Sequence, residues 1–221
     1  MDTLQPKMNL HTPQPIKILV VDDHFVVREG LRSLIRREPG MIVIAEASNG
    51  AEGAEMHERL QPHVTIMDLR MPVLGGVEAT RLIRSKSPEA KVLVLTSYEG
   101  DEDVFAAFDA GASGYLLKHS SGDQVVPAIH ALMRGETWIP PEVESHLATR
   151  QRGEVLSVRE REIVRHLALG EANKEIASSI GISEQTVKSH VKNILGKLQV
   201  RDRTEAVTVA LRRGIIHLPE V

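Results

Sequence analysis

The chain has 221 residues, a formal net charge of −3, 42% hydrophobic residues and only 3% aromatics, which allows one or two domains with aliphatic cores. The absence of cysteine excludes a disulfide framework and any thiolate metal site. Apolar runs fall far short of the ~18 residues a membrane span needs, and Pro6, Pro13 and Pro15 break up the stretch where a signal peptide would be continuous, so the expectation is a cytoplasmic protein with no membrane partner.

Residues 1–15 are polar and Pro-rich and read as a disordered tail. Ile16–Val21 (IKILVV) is a strand that runs straight into Asp22-Asp23. A helix over about 25–37, a strand over Met41–Glu46 and a helix over about 50–60 follow. Val64–Met67 is a short buried strand ending at Asp68, bounded downstream by Pro72 and Gly75-Gly76. A helix over about 75–86 leads to the strand Lys91–Thr96. A helix over about 101–110 leads to the strand Gly114–Leu117, which ends at Lys118, and a last helix covers roughly 121–134. Strands alternating with helices imply a parallel sheet covered on both faces, a flavodoxin-like (βα)5 domain of the α/β class over residues 16–134.

All strand C-termini of a parallel sheet lie along one edge, where such sheets bind ligands. Four of these strands end in polar residues: Asp22-Asp23, Asp68, Thr96 and Lys118. Polar strand ends often do no more than cap loops. Here three carboxylates, a hydroxyl and an ammonium would converge. Carboxylates that close repel and do not all stay ionised unaided. A hard divalent cation such as Mg2+ resolves the repulsion and keeps open positions for phosphoryl oxygens, and a lysine supplies a point charge for phosphate. The set is suited to phosphoryl chemistry. His24 reads as a helix-start residue, since Mg2+ prefers oxygen.

These residues, with the segments MDLRMP, VLVLTSY and GASGYLLKHS that carry them, resemble the receiver domain of two-component response regulators. The resemblance implies that Asp68 accepts a phosphoryl group from a sensor histidine kinase. It implies that Asp22, Asp23, Asp68 and the backbone carbonyl of Arg70 hold Mg2+. It places Thr96 and Lys118 on phosphoryl oxygens and makes Tyr115 a switch aromatic that follows Thr96. By its own residue type, Tyr115 also reads as a half-buried core ring. His119 departs from the proline many receivers have after the lysine.

Residues 135–153 change character and read as a linker, with Trp138 packing at the domain junction and Pro140-Pro141 starting at most a short helical stretch. Residues 14–134 hold 13 Lys and Arg against 17 Asp and Glu, whereas residues 154–214 hold 11 against 8. The second part is the more basic and suits a polyanion.

From Leu156 the periodicity is helical. Ser157 and Glu160 form a capping-box start, and Ile163, Val164, Leu167 and Ala168 face inward. A short helix over Asn173–Ile180, the turn Gly181-Ile182-Ser183 and a helix over 184–198 match helix-turn-helix. At 100° per residue, Val187, Val191, Ile194 and Leu198 share one face of that second helix, and Gln185, Lys188, Ser189 and Lys192 share the other. An ordinary solvated face would look the same. The preceding helix, the turn and the basic balance favour a face that reads a major groove. His190 lies between the two faces.

The segments LSVREREIV, NKEIA, GISEQTVKSHVKNIL, KLQV and RDRTEA resemble the four-helix DNA-binding domain of the NarL/FixJ (LuxR-type) family, here over 154–217. The resemblance implies that Lys188, Ser189 and Lys192 face bases or phosphates of double-stranded DNA. It puts Asn173, Lys174 and Thr186 near the backbone, and Val207 and Ala210 of a last helix over about 202–213 on a dimerisation face, although plain core packing fits them equally. Ala172 departs from the usual Ser or Thr and forgoes a cap worth about 1 kcal/mol. The whole chain then resembles a phosphorylation-controlled transcription regulator that pairs as a homodimer, with RNA polymerase as a further partner. A phosphatase of the haloacid-dehalogenase type needs an acid two residues after its nucleophile, and Arg70 stands there. A receiver acting as a phosphate-independent interaction module is the remaining alternative.

Overall fold

The computed structural model of the protein describes residues 14–97, 100–120, 122–139, 141, 144 and 156–217. All but two residues of the expected N-terminal tail, and most of the expected linker including Pro140, lie outside the described residues.

Strands β1 (Ile16–Val21), β2 (Met41–Ala47), β3 (Val64–Met67), β4 (Val92–Thr96) and β5 (Gly114–Leu117) form one parallel sheet in the order β2-β1-β3-β4-β5. Helices α1 (Phe25–Arg36), α2 (Gly50–Leu60), α3 (Gly76–Lys86), α4 (Asp101–Asp109) and α5 (Val125–Met133) connect and cover the strands. This is the expected flavodoxin-like domain. Ile18, Leu19, Val20 and Val21 are all fully buried, because a parallel sheet is covered on both faces and its strands therefore read as unbroken apolar runs. Alternation still sorts them. Ile18 and Val20 join Leu31 and Ile35 of α1 and Ile129 and Leu132 of α5, while Leu19 and Val21 join Ala54 of α2 and Ala79 and Ile83 of α3. Each such aliphatic side chain contributes about 1.5–3 kcal/mol.

Two local differences from expectation have clear causes. The segment after β5 first makes a 3-10 turn over Lys118–Ser120 and a further turn through Gly122, so α5 starts only at Val125. Trp138 is not at a domain junction. Its N–H donates to the Ser113 carbonyl (3.2 Å) and its carbonyl accepts from the Tyr115 N–H (2.9 Å), which extends the open edge of the sheet beyond β5 and packs the ring on the core shared by α1 and α5.

The C-terminal unit is all helical, with α6 (Val158–Ala168), α7 (Asn173–Ile180), α8 (Glu184–Leu198) and α9 (Arg203–Arg212). Ser157 and Glu160 form the expected capping box. Ser183 accepts from the Thr186 N–H to start α8, and Asp202 accepts from the Thr204 and Glu205 N–H groups to start α9. Gly181, at φ 68°, closes α7 in the left-handed region that a glycine occupies without strain. Ile163, Val164 and Leu167 of α6 meet Ile176, Val187, Ile194, Leu198, Ala206 and Ala210 in one core. Ala210 is fully buried there, so it serves core packing and offers no dimerisation face in this conformation. Among the described residues no helix is long and apolar enough to cross a membrane.

Candidate functional site

The strand order reverses between β1 and β3, both of which neighbour each other at the centre of the sheet. That switch point is the position where open α/β sheets bind ligands. Asp22 follows β1 with its N–H on the Ala47 carbonyl (3.1 Å), and Asp68 follows β3 with its N–H on the Val21 carbonyl (2.8 Å). Backbone pairing thus fixes both carboxylates at the edge. They are 2% and 3% exposed, and Thr96 at the end of β4 is fully buried.

Lys118, just past β5, brings its Nζ to 2.8 Å from Asp22 Oδ2 and 2.8 Å from Asp68 Oδ2. Asp68 Oδ1 accepts from the Leu69 N–H at 2.7 Å. Burial, together with the Asp22 charge, pushes the Asp68 carboxyl above its usual range despite the pull of Lys118 and of the Leu69 N–H. Burial works against the Lys118 ammonium, yet its two carboxylate partners hold its pKa above the usual value.

Asp22, Asp23, His24 and Asp68 offer ligand atoms that all lie within 4.8 Å of one another. Three of the four donors are hard carboxylate oxygens, a set that fits Mg2+. His24 starts α1 as expected, but it also closes on the cluster: its Nδ1 lies 2.8 Å from Asp23 Oδ1 and 3.3 Å from Asp22 Oδ1. One lysine shared by two nearly buried carboxylates, with a third beside them, leaves negative charge for a cation to offset.

The loop after β3 is held tightly. The Gly76 N–H donates to the Leu69 carbonyl (2.9 Å), and a Cβ at Gly76 would overlap the Asp68 carbonyl, so only glycine lets α3 begin there. Val73 in the same loop has φ 68°, a conformation unfavourable for a β-branched residue. Tyr115 is fully buried rather than half-buried, stacked on Phe108 with ring centroids 6.4 Å apart.

Two residues around this site, Asp103 and His217, and the part played by the Arg70 side chain are not among the sequence expectations. The Arg70 side chain donates to Asp103 Oδ1 of α4 at 2.5 Å and touches His217 Nε2, which follows α9. His217 Nε2 is also 3.3 Å from Asp103 Oδ1. Burial, partly countered by Arg70, pushes the Asp103 carboxyl up to about 6, and burial with the Arg70 and Arg165 charges pushes His217 down to about 4. Near neutral pH the ionised carboxylate therefore pairs with Arg70, and the neutral imidazole accepts from it.

In the C-terminal unit, Gln185, Lys188, Ser189 and Lys192 are all exposed along α8, opposite the buried Val187, Ile194 and Leu198. Lys188 pairs with Glu184 at 2.8 Å, and Ser189 donates to the Gln185 carbonyl at 3.1 Å. Thr186 is engaged by Ser183, their hydroxyls 2.7 Å apart. Asn173 opens α7 half-buried and Lys174 beside it is exposed. Ala172 gives α7 no side-chain cap, but Glu175 accepts from the Ala172 N–H at 2.6 Å and so supplies half of a capping box. Glu160, nearly buried, also pairs with Lys197 of α8 at 2.9 Å. Burial raises its pKa, but Lys197 and Ser157 outweigh that and hold the carboxyl below its usual range.

A parallel sheet with an acidic cluster and a lysine at its switch point, followed by a helix-turn-helix unit, defines a receiver joined to a DNA-binding output domain. Residues 18–130 match the response regulator receiver domain, and residues 154–210 match the luxR family of bacterial regulatory proteins. The transcriptional regulatory protein LnrK of Bacillus subtilis is 41% identical over 216 residues, 90% of this chain and 98% of LnrK. The response regulator VraR of Staphylococcus aureus is 41% identical over 206 residues, 91% of this chain and 99% of VraR. A structure of RcsB from Salmonella enterica serovar Typhimurium, bound to promoter DNA in the presence of a phosphomimetic, superposes with a TM-score of 0.69 at 26% identity, covering 89% of this chain and 98% of RcsB. The chain belongs to the LuxR-type response regulators and is a DNA-binding regulator of a two-component system.

Proposed function

We propose that Asp68 is the phosphoacceptor and that its phosphorylation controls pairing and DNA binding of the protein. The observation that carries this reading is the meeting of Asp22, Asp23, Asp68 and Lys118 at the ends of β1, β3 and β5. A carboxylate oxygen of Asp68 attacks the phosphorus of a kinase phosphohistidine; the N–P bond breaks and the freed imidazole nitrogen takes a proton. Asp22, Asp23, Asp68 and the Arg70 carbonyl would hold Mg2+, which when bound offsets charge on the phosphoryl oxygens. Lys118 leaves Asp68 Oδ2 for a phosphoryl oxygen. Thr96 takes another, and Tyr115 follows it. The domain modifies itself and later loses the phosphoryl group to water, which breaks the acyl phosphate bond and returns the Asp68 carboxylate and inorganic phosphate, without being a turnover enzyme.

The proposed division is a tail over 1–15, a receiver over 16–134, a linker over 135–153 and a DNA-binding domain over 154–217. A homodimer carries two copies of α8 to two half-sites one helical turn apart. Lys188, Ser189, Lys192 and Gln185 read bases and flanking phosphates, while Thr186, Asn173 and Lys174 hold the backbone. The promoter DNA in the RcsB structure supports this placement. Contact with RNA polymerase and a cytoplasmic location follow from work on a promoter. The test is binding to a DNA site selected from a random pool, with and without acetyl phosphate and Mg2+. Tighter binding after phosphorylation is expected, and equal affinity in both states would overturn the control.

A further inference from the structure

We propose that Arg28 is a positioning residue of the metal site: its guanidinium, anchored on Glu46, fixes the peptide between Asp22 and Asp23 and thereby aims the Asp23 carboxylate at the cation. The proposal rests on the reading that Asp22, Asp23 and Asp68 hold Mg2+ and adds what sets the affinity for it.

Asp22 and Asp68 are each tied by a backbone N–H to a neighbouring strand, through the Ala47 and Val21 carbonyls. Asp23 stands one residue beyond that pairing, and its side chain is 31% exposed. Its carboxylate nevertheless meets those of Asp22 and Asp68 in one cluster. Arg28 supplies the restraint. Side chains of a helix lean toward its N-terminus, so Arg28, the fourth residue of α1, reaches back over the junction between β1 and α1. Its Nη1 donates to the Asp22 carbonyl at 2.6 Å. The peptide unit is planar, so holding that oxygen also holds the direction in which the chain enters Asp23. The guanidinium is itself anchored. Its Nε lies 3.3 Å from Glu46 Oε2, and Arg32 Nη1 lies 3.7 Å from the other Glu46 oxygen. Glu46 of β2 is in register with Val20 of β1, so the anchor belongs to the sheet that carries Asp22.

Charge alone does not account for this placement. A guanidinium at the N-terminal end of a helix opposes the helix dipole, and the first turn of α1 holds no acidic residue to offset it. A fixed cation beside a divalent metal site also repels the metal, and Lys118 already balances Asp22 and Asp68. What Arg28 offers beyond charge is a planar fork that engages a carboxylate and a carbonyl at once. The side chains of Arg28 and Glu46 are only 16% and 24% exposed, which holds that fork in place. The two roles predict opposite signs. If Arg28 acted through its charge, removing it would tighten binding of a divalent cation. If Arg28 positions Asp23, removing it weakens binding.

Mn2+ is the probe. Like Mg2+ it suits octahedral oxygen sites, and the paramagnetic resonance signal of the free ion counts what stays unbound. Titrations of the full chain, with Mg2+ as competitor, compare the parent with Arg28→Met, which keeps the stem, and Arg28→Lys, which keeps the charge and loses the fork. Far-UV circular dichroism checks that each variant is folded. Both variants should bind both ions more weakly than the parent, Arg28→Met by at least about tenfold, the low end for groups that orient metal ligands. In labelling by acetyl phosphate, the half-saturating Mg2+ concentration should rise with the dissociation constant, and the rate at saturating Mg2+ should fall by less. Arg28→Met binding as tightly as the parent, or more tightly, overturns the proposal. Should Arg28→Met fail to fold, parent-like affinity in Arg28→Lys overturns it. A slower rate at saturating Mg2+ with unchanged half-saturation does so too. A parent that binds neither ion overturns the metal reading and the proposal with it. A parent that binds both ions yet takes up no phosphoryl group overturns the phosphoacceptor reading, while weaker binding by the variants still supports the role of Arg28.

Discussion

Replacing Lys118 by Met keeps the aliphatic stem and removes the ammonium that lies 2.8 Å from an oxygen of both Asp22 and Asp68. Those carboxylates are 2% and 3% exposed, and their facing oxygens are no farther apart than twice that distance. Two unit charges ~5 Å apart repel by about 3 kcal/mol at an effective dielectric near 20. Breaking a buried pair costs about 3–5 kcal/mol. Protonation sets a ceiling on the loss. Neutralising a carboxyl with an ordinary value of 3.8 at pH 7 costs about 4 kcal/mol, at about 1.4 kcal/mol per unit. The variant should therefore lose about 3–4 kcal/mol at neutral pH. A carboxyl whose pKa is raised on folding weakens stability above its unfolded value and not below it. The deficit should accordingly shrink by about 1.4 kcal/mol per unit once the ceiling applies, to about 2 kcal/mol near pH 5.5. Mg2+ at 100 times its Kd should return about 2.7 kcal/mol. Urea unfolding of parent and variant at both pH values, with and without Mg2+, measures all of this. A deficit independent of both pH and Mg2+ would refute the view that Lys118 balances buried like charges.

Val73 is 86% exposed at φ 68°, so Val73→Asn loses little burial and relieves a left-handed conformation; unfolding should become about 1 kcal/mol harder in the same assay. His57 is buried with its Nδ1 2.9 Å from Thr65 Oγ1, and burial holds its pKa below the usual 6.5. The unfolded chain takes up that proton first, so stability falls as pH drops through 6.5, and His57→Gln should flatten this slope in urea titrations. Lys192→Ala should weaken DNA binding across sequences and reduce the salt slope by about one. Lys188→Ala should cost less, because Lys188 gives up its 2.8 Å pair with Glu184 to reach DNA; both are read from affinity against salt concentration.

The site was legible because each of its members ends an apolar run. Asp22, Asp68, Thr96 and Lys118 stand one after another at strand ends, and a parallel sheet leaves them only one edge to share. The α8 faces were legible because helical periodicity needs nothing beyond the helix itself. Pairings set by tertiary distance were not. Arg70 meets Asp103 and His217 from 33 and 147 residues away, and Glu160 meets Lys197 from 37. No local pattern encodes such partners. Trp138 was misplaced for a related reason: its contribution is a backbone bridge to Ser113 and Tyr115, which side-chain type does not report. Periodicity also placed Ala210 on a face without saying whether the neighbour was its own core or a second chain.

The central claim is that Asp68 takes up a phosphoryl group. Intact mass after incubation with acetyl phosphate and Mg2+, beside Asp68→Asn, tests it most directly. The account predicts the gain of one phosphoryl group in the parent and none in the variant. An equal gain in both, or a parent that neither acetyl phosphate nor a panel of histidine kinases can modify, would contradict it.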